Sequence, residues 1–240
     1  MKKKISALIV DGKEYTITDD DKFVQGRRKR RSIDEFRGKK GEIIPILVLP
    51  PDFYEEGVVY GFSNENNHKE WLIENKLHKN YDREQKMLEK ARRDLLPEES
   101  ERINKEVEEA TEKFGKFLKA HNLKANEIEK IDKLREDPYF SGPFHSAILY
   151  DRLYYDPGGS YLVLPGGGYP CRRYYNDLRR YNFNDKTSSF LLTCSHRVRL
   201  FEHINYSGAT LNSYGNQENL KNFWFWFGWW NNRISSAIVY

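Results

Sequence analysis

Two six-residue segments near the C-terminal end follow one pattern, and they constrain the fold of this chain more than any other feature. They are Asn184-Asp185-Lys186-Thr187-Ser188-Ser189 and Asn231-Asn232-Arg233-Ile234-Ser235-Ser236. Each hexapeptide has two Asn or Asp residues, two variable positions, then a Ser or Thr and a final Ser. Because they begin 47 residues apart, the C-terminal part of the chain is predicted to contain two copies of one structural unit.

Short predicted strands surround both hexapeptides. Residues 147–150 and 161–164 precede the first one, and a further apolar stretch, 190–193, follows it. Residues 198–204 open the second unit and 237–240 close it. Turns rich in Gly, Pro and Asn separate these strands, as is typical of an antiparallel β domain. Gly208, and one of Gly158 and Gly159, are expected to adopt a positive φ in a tight hairpin.

The order of strand, Tyr-x-Gly hairpin, aromatic corner, hexapeptide and closing strand resembles one Greek-key unit of the βγ-crystallins. Two such units in tandem resemble one complete βγ-crystallin domain of the microbial calcium-binding type, over residues 146–240. Tyr206, Gly208 and residues 231–236 all match the pattern in the second unit, whereas the first hairpin is longer by a residue or two. The resemblance implies an all-β double Greek-key sandwich with units at 146–194 and 197–240.

The resemblance also implies two calcium sites, each built from both hexapeptides. One site would use the Ser188 hydroxyl, the Lys186 main-chain carbonyl, the Asn232 side chain and a main-chain carbonyl near Asp151. The other would use the Ser235 hydroxyl, the Arg233 main-chain carbonyl, the Asp185 side chain and a main-chain carbonyl near Glu202. The function implied is that of a non-enzymatic calcium-binding protein with a role in stability or in interaction.

The residue types fit this assignment, because Ca²⁺ takes about six to eight oxygen ligands and accepts hydroxyls, amides and carbonyls. Asp185 is the one formally charged side chain among the expected ligands, so weak to moderate affinity is predicted, with the Asp185 site the tighter. Asn-Asp and Ser-Ser pairs also form ordinary turns and helix caps. Their recurrence in two equivalent places favours calcium over that interpretation.

The distribution of charge predicts a boundary near residue 145. Residues 146–240 contain ten Lys and Arg and six Asp and Glu, whereas residues 1–145 contain thirty of each. Four of the five Trp residues lie between positions 224 and 230. We therefore expect a charged N-terminal region, 1–145, of unknown role and a separate β domain, 146–240, giving an α+β protein overall.

The N-terminal region is predicted to have short strands up to about residue 62 and charged amphipathic helices over about 64–136. Asp11-Gly12 is expected to form the turn of a hairpin, and Ser63 or Asn64 to cap a helix. Apolar residues recur at spacings of three and four through residues 98–134. These helices could pack on a small sheet of their own or bind a protein partner, including a second copy of the chain.

Two alternative functions have candidate segments. The Gly- and Pro-rich turn 165–170 could present a rigid loop to a protease, as small bacterial inhibitors similar to one βγ-crystallin domain do. The basic cluster 27–31 could bind nucleic acid or an anionic membrane surface. We do not expect the latter partners, because Asp19–Asp21 could neutralise the cluster and a solvated loop is the favoured interpretation.

Catalysis and export are not expected from this sequence. It has no phosphate-binding loop, nucleophile elbow, dinucleotide fingerprint or zinc-protease motif, and its histidines are scattered. The apolar stretch after the basic start is too short for a signal peptide, and no apolar run is long enough to span a membrane, so a cytoplasmic location is expected. Cys171 and Cys194 are the two cysteines, expected as free thiols, although a bridge between them is the alternative.

Overall fold

The computed structural model describes residues 7–17, 23–25, 29–31, 46–49, 58–75, 81–92, 97–121, 146–166, 172–193, 197–220 and 230–240. Within these ranges the chain has three α-helices and thirteen strands, so the expected mixture of helices and sheets is confirmed. In the part of the chain that the structure describes, no helix is long and apolar enough to cross a membrane.

The described part of the chain begins with the expected hairpin. Strands β1 (Ala7–Val10) and β2 (Lys13–Ile17) pair antiparallel on either side of Asp11 and Gly12. The φ angles of Asp11 and Gly12 are 47° and 76°, and a two-residue turn that matches the twist of the strands requires such positive values. Strands β3 (Phe23–Gln25) and β4 (Lys29–Arg31) extend this sheet. Part of the basic cluster 27–31 is thus an edge strand and not a loop, while residues 27 and 28 lie outside the described residues.

Two further strands precede the first helix. Strand β5 (Ile46–Leu49) pairs antiparallel with β6 (Val58–Phe62), and β6 lies parallel to β1. Helix α1 (Glu65–Glu74) follows directly, and the Asn64 side chain accepts a hydrogen bond from the Asn67 amide at 3.0 Å. Asn64 is therefore the N-cap, which supplies an acceptor for one of the unpaired amides of the first turn.

The two remaining helices are α2 (Tyr81–Arg92) and α3 (Pro97–His121). Proline at the first position of α3 costs no hydrogen bond, and Glu98 and Glu99 favour the positive end of the helix dipole. The helix predicted over residues 123–134 lies outside the described residues.

Seven strands lie within the described residues from 146 onward. They are β7 (Ser146–Tyr150), β8 (Tyr161–Pro165), β9 (Arg173–Tyr175), β10 (Ser189–Thr193), β11 (Val198–His203), β12 (Ser207–Ser213) and β13 (Ser236–Val239). Where the structure describes the segments between them, these include three short 3₁₀ turns: the first corner (Leu153–Tyr155), the inner turn (Leu178–Tyr181) and the second corner (Ile204–Tyr206).

These strands form two sheets that exchange one element. The order of the smaller sheet is β10-β7-β8, and β12-β11-β13-β9 continues the larger one. Strand β9 follows β8 along the chain but pairs with β13 in the other sheet. An isolated bridge between Phe190 and Gln217 makes the reciprocal link from the second unit back to β10. Buried residues from both sheets, such as Leu149 and Leu200, share one core, so the two sheets pack as a sandwich.

The N-terminal strands continue the larger sheet of the sandwich. Strand β5 pairs in parallel with β12, with Ile46 opposite Thr210 and Leu49 opposite Ser213. The sheet therefore runs from β4 to β9 across the expected boundary at residue 145. Pairing of this kind removes the exposed edge that β12 would otherwise present to another chain.

Two helices cover the outer faces of the sandwich. Phe114 and Phe117 of α3 pack against Ile148, Tyr150 and Val163 of the smaller sheet. Leu88 of α2 packs with Phe201 and Ile238 of the larger sheet and with Tyr206 of the second corner. All five residues of β7 are consequently buried, although a two-layer sandwich would expose alternate ones. The apolar stripe of α3 is thus largely used within this chain, and its proposed role toward a partner stays a prediction.

Candidate functional site

Both hexapeptides lie at the entrance to a closing strand, the first before β10 and the second before β13. Asp185 and Asn232, at the second position of each, have left-handed backbone conformations with φ of 53° and 58°. Asn and Asp tolerate this region better than other side-chain-bearing residues because their short polar groups bond locally. The two segments therefore share one backbone conformation, which the common sequence pattern explains.

Main-chain hydrogen bonds join each hexapeptide to the other. The Asp185 amide donates to the Ile234 carbonyl at 3.1 Å, and the Asn232 amide donates to the Thr187 carbonyl at 2.9 Å. These bonds relate equivalent positions of the two units, so the segments are held side by side in a reciprocal arrangement. These two hydrogen bonds bring the second residue of each hexapeptide close to the fifth residue of the other.

Three of the expected oxygens of the second site converge on Ser235. Its hydroxyl lies 3.1 Å from Asp185 Oδ1 and 2.8 Å from the Glu202 main-chain carbonyl oxygen. Asp185 is exposed and its other carboxylate oxygen accepts a hydrogen bond from Asn184 Nδ2 at 2.5 Å. The structure thus places the hydroxyl, the carboxylate and the hairpin carbonyl together, as the resemblance implied.

The first site has the corresponding pair. Ser188 Oγ lies 3.0 Å from Asn232 Oδ1, and the Ser188 amide donates to the Tyr150 carbonyl at 2.7 Å. Asp151, whose carbonyl was expected to contribute, follows Tyr150 directly and its amide donates to Ser160 at the end of the hairpin. Lys186 and Arg233, the third residues of the two hexapeptides, are both partly buried.

Charged groups beside the two sites are not equivalent. The Arg233 guanidinium lies 2.9 Å from Glu202 Oε1, and Glu202 Oε2 also accepts a hydrogen bond from the Ala209 amide at 3.3 Å. Arg233 is therefore neutralised by its neighbour and does not present an unpaired cation to the second site. At the first site the equivalent acid is Asp151, whose Oδ1 is buried and has no hydrogen-bond partner.

The donor set fits a hard cation such as calcium. Oxygen pairs 3.0 and 3.1 Å apart have the spacing of neighbouring ligands of one Ca²⁺, since each ligand lies about 2.3–2.6 Å from the ion. Asn184 Oδ1 and Asn231 Oδ1, at the first position of each hexapeptide, are also buried without a hydrogen-bond partner. Unsatisfied oxygens cost free energy, and a cation or its bound water would offset that cost. No cluster of three His, Cys, Asp or Glu that could hold a metal ion occurs within the described ranges.

The last serine of each hexapeptide has a role that the sequence analysis did not assign. Ser189 Oγ donates to the Arg152 carbonyl at 2.6 Å and accepts from the Tyr155 amide at 3.0 Å. Ser236 Oγ makes the same two bonds, to the His203 carbonyl at 2.6 Å and from the Tyr206 amide at 3.0 Å. Both serines are fully buried. The serine at the fifth position of each hexapeptide thus faces the expected ion, whereas the serine at the sixth position holds the corner.

Each corner contains two successive residues with positive φ that are not glycine. They are Tyr154 and Tyr155 in the first corner and Asn205 and Tyr206 in the second, with φ between 56° and 59°. This conformation costs about 1–2 kcal/mol per residue, so the corner needs the serine bonds to persist. The separation from Tyr155 to Ser189 is 34 residues and that from Tyr206 to Ser236 is 30, so the signal that the two units share is the final Ser of each hexapeptide and not the spacing.

The expectation for the hairpin glycines is half right. Gly208 has a φ of 77°, as predicted, but neither Gly158 nor Gly159 has a positive φ. Gly159 is needed for another reason, because a β-carbon there would overlap Asp151 Oδ1. The longer first hairpin approaches the Asp151 carboxylate closely, and only glycine leaves that space free.

Other residues considered from the sequence are less informative. His203 is exposed at the end of β11, while His196, Cys171 and Cys194 lie outside the described residues. Residues 167–170 of the candidate inhibitory loop also lie outside them.

Comparison with solved structures matches the chain to βγ-crystallin domains, so the expected resemblance is confirmed. One match is a βγ-crystallin from Ciona intestinalis, with 24% identity over 38% of this chain and 95% of that chain, at a TM-score of 0.30. Another, from an archaeon, has 24% identity over 40% and 98%, at a TM-score of 0.31. A domain from Clostridium beijerinckii has 19% identity over 40% and 97%, also at 0.31. No protein-family description and no curated protein matches the chain.

Proposed function

We propose that this chain is a non-enzymatic, βγ-crystallin-like protein that binds two calcium ions through its paired hexapeptides. The observation that carries the proposal is the reciprocal pairing of Ser188 with Asn232 and of Ser235 with Asp185, at 3.0 and 3.1 Å. Two independent oxygen pairs, each drawn from both hexapeptides, are more than a turn or a cap requires. The strand exchange between the sheets supports the further proposal that each unit is a Greek key.

The role that follows is stabilisation of the fold by the bound ions. Each ion would join the two hexapeptides and, through the Glu202 carbonyl or its counterpart near Asp151, the adjoining corner. Ligands that bind only the folded state stabilise it by about 2.7 kcal/mol when their concentration is a hundred times the dissociation constant. In a chain of 240 residues this corresponds to a rise in Tm of about 5–10 °C per site.

The test is a calorimetric calcium titration of the full chain, together with melting curves in calcium and in excess chelator. The double variant Ser188→Ala with Ser235→Ala should lose both the heat of binding and the calcium-dependent rise in Tm. Ser213→Ala is the matched control, because Ser213 is also buried and its hydroxyl bonds to the Gly215 carbonyl at 2.7 Å, outside both hexapeptides. An unchanged calcium response in the double variant would refute the assignment.

A further inference from the structure

Helix α3 contacts the segment that leads directly into the first hexapeptide. The Tyr181 hydroxyl, in the inner turn, donates to Asn104 Oδ1 at 2.9 Å. The neighbouring Arg180 donates to the Ser100 hydroxyl, one helical turn earlier. A third polar contact joins Glu106 of the helix to Arg173 of β9. The N-terminal half of α3 therefore holds the strand and the turn that precede the hexapeptide.

Apolar contacts accompany these hydrogen bonds. Ile103 and Val107 of α3 are 5% and 1% exposed and belong to the same buried cluster as Leu178 and Phe183. Tyr181 packs against this cluster from its edge. Burial raises the pKa of Tyr181 to about 12, so its hydroxyl remains a neutral donor at physiological pH.

The inner turn is bonded directly to the second candidate site. The Leu178 amide donates to the Ser235 carbonyl at 2.9 Å, and the Phe183 amide donates back to the Leu178 carbonyl at 3.1 Å. Asp185 lies two residues beyond Phe183, and its amide bonds to the second hexapeptide. A displacement of the inner turn would therefore move Asp185 relative to Ser235.

We propose that α3 is a positioning element for the calcium sites, with Asn104 and Tyr181 as the positioning residues. This inference rests on the proposed function and gives the N-terminal region a part in it. The contact between Asn104 and Tyr181 holds the inner turn, and hence the first hexapeptide, in its ion-binding arrangement before the ion arrives. Rigid support of this kind raises affinity because less ordering remains to be done on binding.

The test uses the full chain with Tyr181→Phe, Asn104→Ala and the double variant, titrated with calcium chloride. We expect each single change to raise Kd by about three- to tenfold, the equivalent of one lost hydrogen bond. The double variant should be no weaker than the single ones, because both changes remove one shared contact.

Thr111→Val is the matched control on the same helix. Thr111 Oγ1 accepts a hydrogen bond from the Val163 amide at 3.1 Å, on β8 and away from the hexapeptides. This variant should lower Tm while its Kd stays within about twofold of the parent value. An equal loss of affinity in Thr111→Val, or an unchanged Kd in Tyr181→Phe, would overturn the positioning role.

A second measurement separates this inference from the proposed function. If the parent chain shows no calcium binding, the proposed function fails. Hydrogen exchange without calcium then tests only whether α3 holds the inner turn and the first hexapeptide in place. The Asp185 and Ser188 amides should exchange about threefold to tenfold faster in Tyr181→Phe than in Thr111→Val. Equal exchange rates in the two variants would show that the helix does not position the hexapeptide.

Discussion

The substitution Ser236→Ala tests how the second corner is held. The Ser236 hydroxyl donates to the His203 carbonyl at 2.6 Å and accepts from the Tyr206 amide at 3.0 Å. Both Ser236 and Tyr206 are buried, so water cannot readily replace the lost bond to the Tyr206 amide. A buried donor left without a partner costs about 1–3 kcal/mol, and the second bond adds about 0.5–1.5 kcal/mol.

The expected loss of stability is therefore about 1.5–4.5 kcal/mol, a large fraction of the roughly 5–15 kcal/mol typical of a folded domain. The strained pair Asn205 and Tyr206, with φ of 56° and 57°, depends on the same hydroxyl. Urea unfolding in excess chelator would measure this loss as a lower midpoint with an unchanged slope.

Ser207→Ala is the control, since the Ser207 hydroxyl bonds to the Ile204 carbonyl at 2.8 Å in the same corner but is exposed. Water can replace that bond, so this variant should lose less than about 1 kcal/mol. If Ser236→Ala proves no more destabilising than Ser207→Ala, the corner does not depend on the buried hydroxyl and the reasoning is wrong.

Two further predictions concern charge. Asp185→Asn should weaken the tighter calcium site and Asn232→Asp should strengthen the other, because a carboxylate attracts Ca²⁺ more than an amide of similar shape. Calorimetric titration would measure both affinities, and unchanged affinities would contradict the reciprocal arrangement. The raised pKa of Tyr181, about 12 against an ordinary value near 10, predicts a contribution to stability that is complete below pH 10 and is lost as pH rises toward 12. Urea midpoints across that range should fall less in Tyr181→Phe than in the parent chain, and parallel curves would exclude this contribution.

The local elements of the fold were predictable from the sequence because each has its cause within a few neighbouring residues. Asp11 and Gly12 form a turn by their own backbone preferences, and Asn64 caps a helix three residues from the amide it bonds. The resemblance to the βγ-crystallins also implied which side chains would meet, and Ser188 does reach Asn232 and Ser235 does reach Asp185. Whether these pairs bind calcium stays a prediction.

The tertiary structure decided what depends on surfaces far apart in the chain. The apolar spacing of α3 predicted a buried stripe but not its partner, which is the outer face of β7 and β8. The pairing of β5 with β12 likewise joins residues more than 160 positions apart, and no local preference specifies it. Apolar burial is non-directional, so a sequence pattern shows that a face must be covered without showing what covers it. The same holds for the contact between Asn104 of α3 and Tyr181 of the inner turn, which only the folded chain creates.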